Sequence, residues 1–158
     1  MGIKKATRAL VFVVVVELAG VIGSIFTSSA IPTWYATLNK PSFNPPNWIF
    51  APVWTLLYLS MGISAFLIWE KGIAKKKIQV ALLIFAFQLV LNVLWSFLFF
   101  GLKSPSLAFA GIIVLWLAIA TTIYTFYKIS KPAGLILIPY ILWVTFAAFL
   151  NLAILALN

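Results

Sequence analysis

The sequence predicts an all-α membrane protein, a bundle of five transmembrane helices. The first observation behind this is the spacing of charge. After Lys77 the next charged residue is Lys103, after Lys103 it is Lys128, and none follows Lys131. Each gap exceeds the ~20 apolar residues that a helix needs to cross a ~30 Å hydrocarbon layer. The second is composition: 65% of residues are hydrophobic and 8% charged, against roughly 25% charged in a soluble domain. The third is where the charges sit. The net charge of +9 comes from basic residues placed between apolar runs, which points to membrane orientation and not to nucleic acid.

Five spans follow in order, at about 8–30, 47–69, 78–100, 106–127 and 133–156, in a single domain covering 1–158. The first is the weakest, because Glu17 interrupts it. It also resembles a signal peptide, with Lys4, Lys5 and Arg8 before an apolar run that closes on Ser28-Ser29-Ala30. The run is too long for a signal-peptide core and carries an acid at its middle, so it reads as a span. Between the first two spans, residues 31–46 hold Pro32, Pro41, Pro45 and Pro46 with Trp34, Tyr35 and Phe43. Prolines reduce the entropy of a loop and aromatics give it surface to dock with, so this segment is expected to fold over the mouth of the bundle as a lid. The other connections are short.

Lys and Arg set the orientation. Five spans place Lys4, Lys5, Arg8, Lys71, Lys75, Lys76, Lys77, Lys128 and Lys131 on one side and only Lys40 and Lys103 on the other. The N-terminus is therefore expected in the cytoplasm and the C-terminus outside.

The interior offers aromatics. Trp34, Trp48 and Trp69 stand at span ends, where indoles anchor at the interface. Trp54, Trp95, Trp116 and Trp143 fall within spans, by helical rise in the outer half or near the midplane. Trp54 and Tyr58 share a helix face, as do Asn92, Trp95, Ser96 and Phe99, and likewise Tyr140, Trp143, Ala147 and Asn151. Faces mixing aromatics with Asn, Tyr and Ser are expected to line a pocket below the Pro-rich loop and not to meet lipid. Glu17 is the acid inside a span, a functional hypothesis by default. It lies ~14 Å from one end of the first span and Gln88 ~15 Å into the third, so the two are expected to pair as structural glue. Proton-coupled export is the alternative for Glu17. Gly20 and Gly23, with Ala19, Ser24 and Thr27, predict close helix packing.

Composition also excludes chemistry. With no His or Cys and two Met, axial ligands for haem iron are nearly absent, and no metal site is expected. Two acids in total leave no carboxylate pair for hydrolysis. Ser–His and Cys–His nucleophile arrangements have no His to use, and there is no Gly-rich phosphate loop. What remains is a pocket for a large, flat, apolar ligand.

These residues resemble the translocator protein / tryptophan-rich sensory protein family, also called the peripheral benzodiazepine receptor family. Four ordered motifs carry the resemblance: Trp34-Tyr35 with Leu38-Asn39-Lys40-Pro41, Asn44-Pro45-Pro46-Asn47-Trp48 and Pro52-Val53-Trp54; Gln88 through Asn92 to Trp95 with Phe99-Phe100; Trp116 with Ala120-Thr121-Thr122; and Pro139-Tyr140, Trp143, Phe146-Ala147 and Leu150-Asn151. The resemblance implies a five-helix bundle, usually a homodimer, that binds porphyrins and flat apolar drugs under the first loop. It implies a pocket using Trp54, Asn92, Trp95, Trp143 and Ala147. It also implies that light-dependent porphyrin degradation, if this chain carries it out, runs through Trp54 and Trp143 as catalytic residues. Sterol binding near the end of the fifth helix is not expected, since no Lys or Arg follows Tyr140. Together these readings nominate Trp34, Trp54, Tyr58, Asn92, Trp95, Phe99, Trp116, Tyr140, Trp143 and Ala147 as ligand-binding residues. The porphyrin is a ligand, and no cofactor is expected. The expected location is a prokaryotic cytoplasmic membrane.

Overall fold

The computed structural model describes residues 2–158. Six α-helices are found among them: α1 (Ile3–Ala30), α2 (Phe50–Trp69), α3 (Lys76–Ser96), α4 (Pro105–Ile129), α5 (Lys131–Ile136) and α6 (Ile138–Leu157). With their flanking turns they make five segments long and apolar enough to cross a membrane, α5 and α6 forming the fifth. The protein is an all-α membrane protein with five spanning segments in contact with lipid.

Prolines account for most departures from the predicted boundaries. The first segment runs on past Pro32 as a π-turn, Ile31–Tyr35, and stays helical to Thr37. A proline ring crowds the carbonyl four residues back, and widening the helix to a π-turn relieves this. Thr33 Oγ1 donates to the Ser29 carbonyl at 2.7 Å, so this oxygen keeps a partner. The expected loop of 31–46 therefore shrinks to 38–46. In the fifth segment the expected single helix is broken at Leu137, two residues before Pro139. Elsewhere proline starts helices: Pro105 and Pro132 occupy first-turn positions, where a missing N–H costs nothing. Ser104 caps α4, its Oγ accepting from the Leu107 N–H.

The helices close into a ring. α1 lies beside α2 and α3, α2 beside α5, α3 beside α4, and α4 beside α5 and α6. Glycine permits the tightest crossing: a Cβ on Gly62 would stand 2.6 Å from the Val13 Cα, so α1 and α2 meet there backbone to backbone. At the centre, Met61, Ile68, Ile112, Ile119 and Leu137 are fully enclosed, and Phe85 stacks on Phe126 at 5.7 Å. Outward positions such as Leu10, Val14, Leu83, Val90, Leu117 and Phe149 are exposed and apolar, which suits lipid.

Loop 38–46 is tied to the end of α6. The Asn39 N–H donates to Asn158 Oδ1 at 2.9 Å, and Asn158 Nδ2 returns a bond to the Asn39 carbonyl at 3.0 Å. Tyr35 Oη donates to Asn44 Oδ1 at 2.7 Å, and the Lys40 ammonium sits 4.9 Å from the Tyr35 ring centre. Phe43 meets Phe146 edge to face. The loop is docked, as its prolines and aromatics lead one to expect.

Candidate ligand cavity

Below this loop end the ring of helices encloses a cavity of about 430 Å³, lined by α1, α2, α3 and α6. Its size falls within the ~300–1,000 Å³ typical of small-molecule sites. Along α1 it extends from Glu17 to Ile31, ~21 Å at 1.5 Å per residue.

Small residues on α1 leave the space. Gly20, Gly23, Ser24, Thr27 and Ser28 form its wall there. Only part of this stripe is used for close packing. The Tyr58 ring presses on Gly20, where a Cβ would stand 2.6 Å from it, and Ser96 approaches Gly23. The remainder faces the cavity. Across from α1 stand the aromatics. Trp54 and Tyr58 project from α2 with ring centres 5.7 Å apart, Trp95 at the end of α3 stacks at 5.4 Å on Phe99 of the π-turn that follows, and Trp143 and Ala147 come from α6. Trp54 touches Tyr140 and Phe50 touches Trp143, so aromatic contacts link the α2 and α6 sides of the wall.

Of the residues nominated from sequence, Trp54, Tyr58, Trp95, Phe99, Trp143 and Ala147 line this cavity. Four do not. Asn92 and Tyr140 are buried behind the wall in a hydrogen-bonded chain. Tyr58 Oη donates to Asn92 Oδ1 at 2.5 Å, Asn92 Nδ2 to Tyr140 Oη at 2.7 Å, and Tyr140 Oη to Gln88 Oε1 at 2.9 Å. This chain joins α2, α3 and α6 and fixes the Tyr58 ring. Leaving one of its members unpaired would cost ~1–3 kcal/mol. Trp116 points outward between α4 and α6, 36% exposed, with its Nε1 donating to Thr145 Oγ1 at 2.8 Å. Trp34 packs edge to face on Phe99, beside the cavity and not in its wall. Asn92 and Tyr140 are turned into helix contacts and Trp116 to the outside, while Trp34 sits beside the cavity at a span end.

Glu17 requires a further correction. Gln88 is occupied by Tyr140 and by a contact from its Nε2 to Met61 Sδ at 3.8 Å, and no hydrogen bond joins it to Glu17 among the described residues. Glu17 instead lines the cavity at the end opposite the loop. The aromatic cavity thus reaches the depth of Glu17. Sequence reasoning missed other wall residues: Tyr35, Phe50, Phe100 and Asn47, and the α1 stripe. The stripe was visible in sequence, but small side chains signal close packing and empty space alike.

Comparison with known proteins adds to this geometry. The model of the TspO/MBR family matches residues 12–157, nearly the whole bundle. The chain belongs to this family. It is 45% identical over 139 residues to tryptophan-rich protein TspO of Chlorobaculum tepidum, covering 88% of each chain. It is 44% identical over 158 residues to the protein of the same name from Archaeoglobus fulgidus, covering 100% of this chain and 99% of the relative. Translocator protein of Bos taurus is 38% identical over 144 residues, 90% of this chain and 85% of its own. The family match spans all four helices that wall the cavity, so the site lies within the part of the chain held in common.

Proposed function

We propose that this membrane protein binds protoporphyrin-like tetrapyrroles and flat apolar drugs in the cavity beneath the first loop, and acts as a sensor, carrier or regulator of tetrapyrroles. The observation that carries this is the cavity itself, with Trp54, Trp95 and Trp143 on one side and a strip of small α1 residues on the other. A planar ring laid on indole gains ~0.5–1.5 kcal/mol per contact beyond area burial. Without His or Cys, iron adds no coordination energy, so metal-free porphyrin should bind at least as well as haem. The working unit is a homodimer, following the family resemblance.

The same walls suit a second activity, light-dependent porphyrin loss, in which Trp54 or Trp143 gives one electron to the excited ring, leaving an indole radical cation and a ring radical anion, with dissolved dioxygen as the oxidant that consumes the ring. Export coupled to Glu17 is a further reading, and it gains from one observation: the carboxyl faces the cavity. The deciding experiment titrates purified protein with protoporphyrin in darkness, by tryptophan quenching, and then follows absorbance under light. Saturable binding with a stable dark spectrum supports the site. Bleaching that needs both light and protein adds the enzymatic reading. A clear preference for haem with a six-coordinate spectrum would mean that the protein supplies an iron ligand, and would sink the proposal as stated.

A further inference from the structure

Glu17 gives the cavity its charge. It is the acid in the wall, and no Lys or Arg lines the cavity among the described residues. The salt bridge in the described residues, Lys5 to Glu70 at 3.0 Å, leaves Glu17 out. The nearest cation before it on α1 is Arg8, ~13 Å away along the helix and held over the Trp69 ring at 5.3 Å. From α2 the titratable group in the wall is Tyr58, whose hydroxyl is directed to Asn92. The walls from α3 and α6 bring no charged side chain.

Several polar groups of the wall have their hydrogens already committed, whereas the indole N–H groups of Trp54 and Trp143 and the hydroxyls of Ser28 and Ser96 have no partner among the described residues. Ser24, Thr27 and Thr55 each donate their hydroxyl to a carbonyl of their own helix. Trp95 Nε1 donates to Asn151 Oδ1 at 3.3 Å, and Asn151 Nδ2 donates to the Pro105 carbonyl at 2.9 Å. What these hydroxyls turn toward the cavity is lone pairs. These hydroxyls accept hydrogen bonds, and together with the Glu17 carboxyl they make that end of the cavity favour a donor that carries positive charge.

We infer that the cavity selects apolar ligands bearing one positive charge, a protonated amine seated on Glu17 with a flat body lying along the indoles. The inference rests on the cavity being a ligand site, as proposed above. It also orients a dicarboxylic porphyrin: its anionic side chains face away from Glu17, toward Asn47 at the loop end.

Three pyrenes of one skeleton test this in neutral detergent at pH 7: 1-aminomethylpyrene (cationic), 1-methylpyrene (neutral) and 1-pyrenecarboxylate (anionic). Tryptophan-to-pyrene energy transfer reads binding. The parent should bind the amine about tenfold more tightly than methylpyrene, as one partly screened ion pair allows, and the carboxylate more weakly than either. Glu17→Gln should bring the amine to the level of methylpyrene, with parent-like size-exclusion elution showing that the variant is folded. Should that variant not fold, Val21→Lys supplies a cation one turn along the same face and should remove the preference in the same way. Equal affinities in the parent, or an amine preference that survives both substitutions, would overturn the inference. Failure of methylpyrene to bind the parent would instead remove the ligand site itself.

Discussion

Trp54 and Trp116 both lie within spanning segments, yet Trp54 lines the cavity and Trp116 bonds Thr145 on the outside of the bundle. Depth along a helix is set by residue number. Azimuth is set by which neighbours the helix packs against, and this separates a wall from a lipid-facing anchor. The distinction can be measured. Trp54→Phe and Trp143→Phe keep an aromatic face and should weaken porphyrin binding by no more than about tenfold, the equivalent of one stacking contact. They should slow light-driven porphyrin loss far more, since phenyl is a poor electron donor. Trp116→Phe should change neither quantity. Phe variants at both wall positions that bleach porphyrin as fast as the parent would reduce the indoles to walls.

Prolines act at the scale of the element. Pro32 widens a helix without ending it, whereas Pro139 breaks one, and the loop between α1 and α2 starts later than its composition suggests. The shortened loop is held by a few bonds to the end of α6, chiefly those of Asn158 to Asn39. None of residues 38–46 lines the cavity, so the loop's control over the cavity runs through the flanking wall residues Tyr35, which bonds Asn44, and Asn47. Asn158→Ala removes bonds worth ~0.5–1.5 kcal/mol each. It should therefore speed porphyrin release several-fold while leaving association nearly unchanged, as stopped-flow dilution would record. Equal release rates in parent and variant would make the loop a spacer and not a lid.

For the whole molecule the open quantity is direction. The basic residues of the N-terminus and of the α2–α3 and α4–α5 connections gather at one end, where Lys5 pairs with Glu70 and Arg8 covers Trp69. The positive-inside rule predicts this end in the cytoplasm. The chain has no Cys, so single cysteines report without background. One at Thr37 should react with an impermeant thiol reagent on intact cells, and one at Ala74 should not. The reverse pattern would invert the topology and place the cavity mouth on the cytoplasmic side.

The sequence by itself determined the class and the number of spans, because lipid imposes length and apolarity on each segment separately. Shared helix faces also group Trp54, Tyr58, Trp95, Phe99, Trp143 and Ala147, which line the cavity, but not Tyr35, Phe50 and Phe100, which line it as well. The tertiary structure decided which polar groups meet. Asn92, Tyr140 and Gln88 read as free pocket residues or as glue for an acid, yet they satisfy one another, because a buried polar group takes whichever partner the packed helices bring near. Glu17 was thereby left without Gln88 and turned into the cavity. Helix rotation and the ring order α1–α2–α5–α4–α3 are properties of several segments at once, and no single apolar run encodes them.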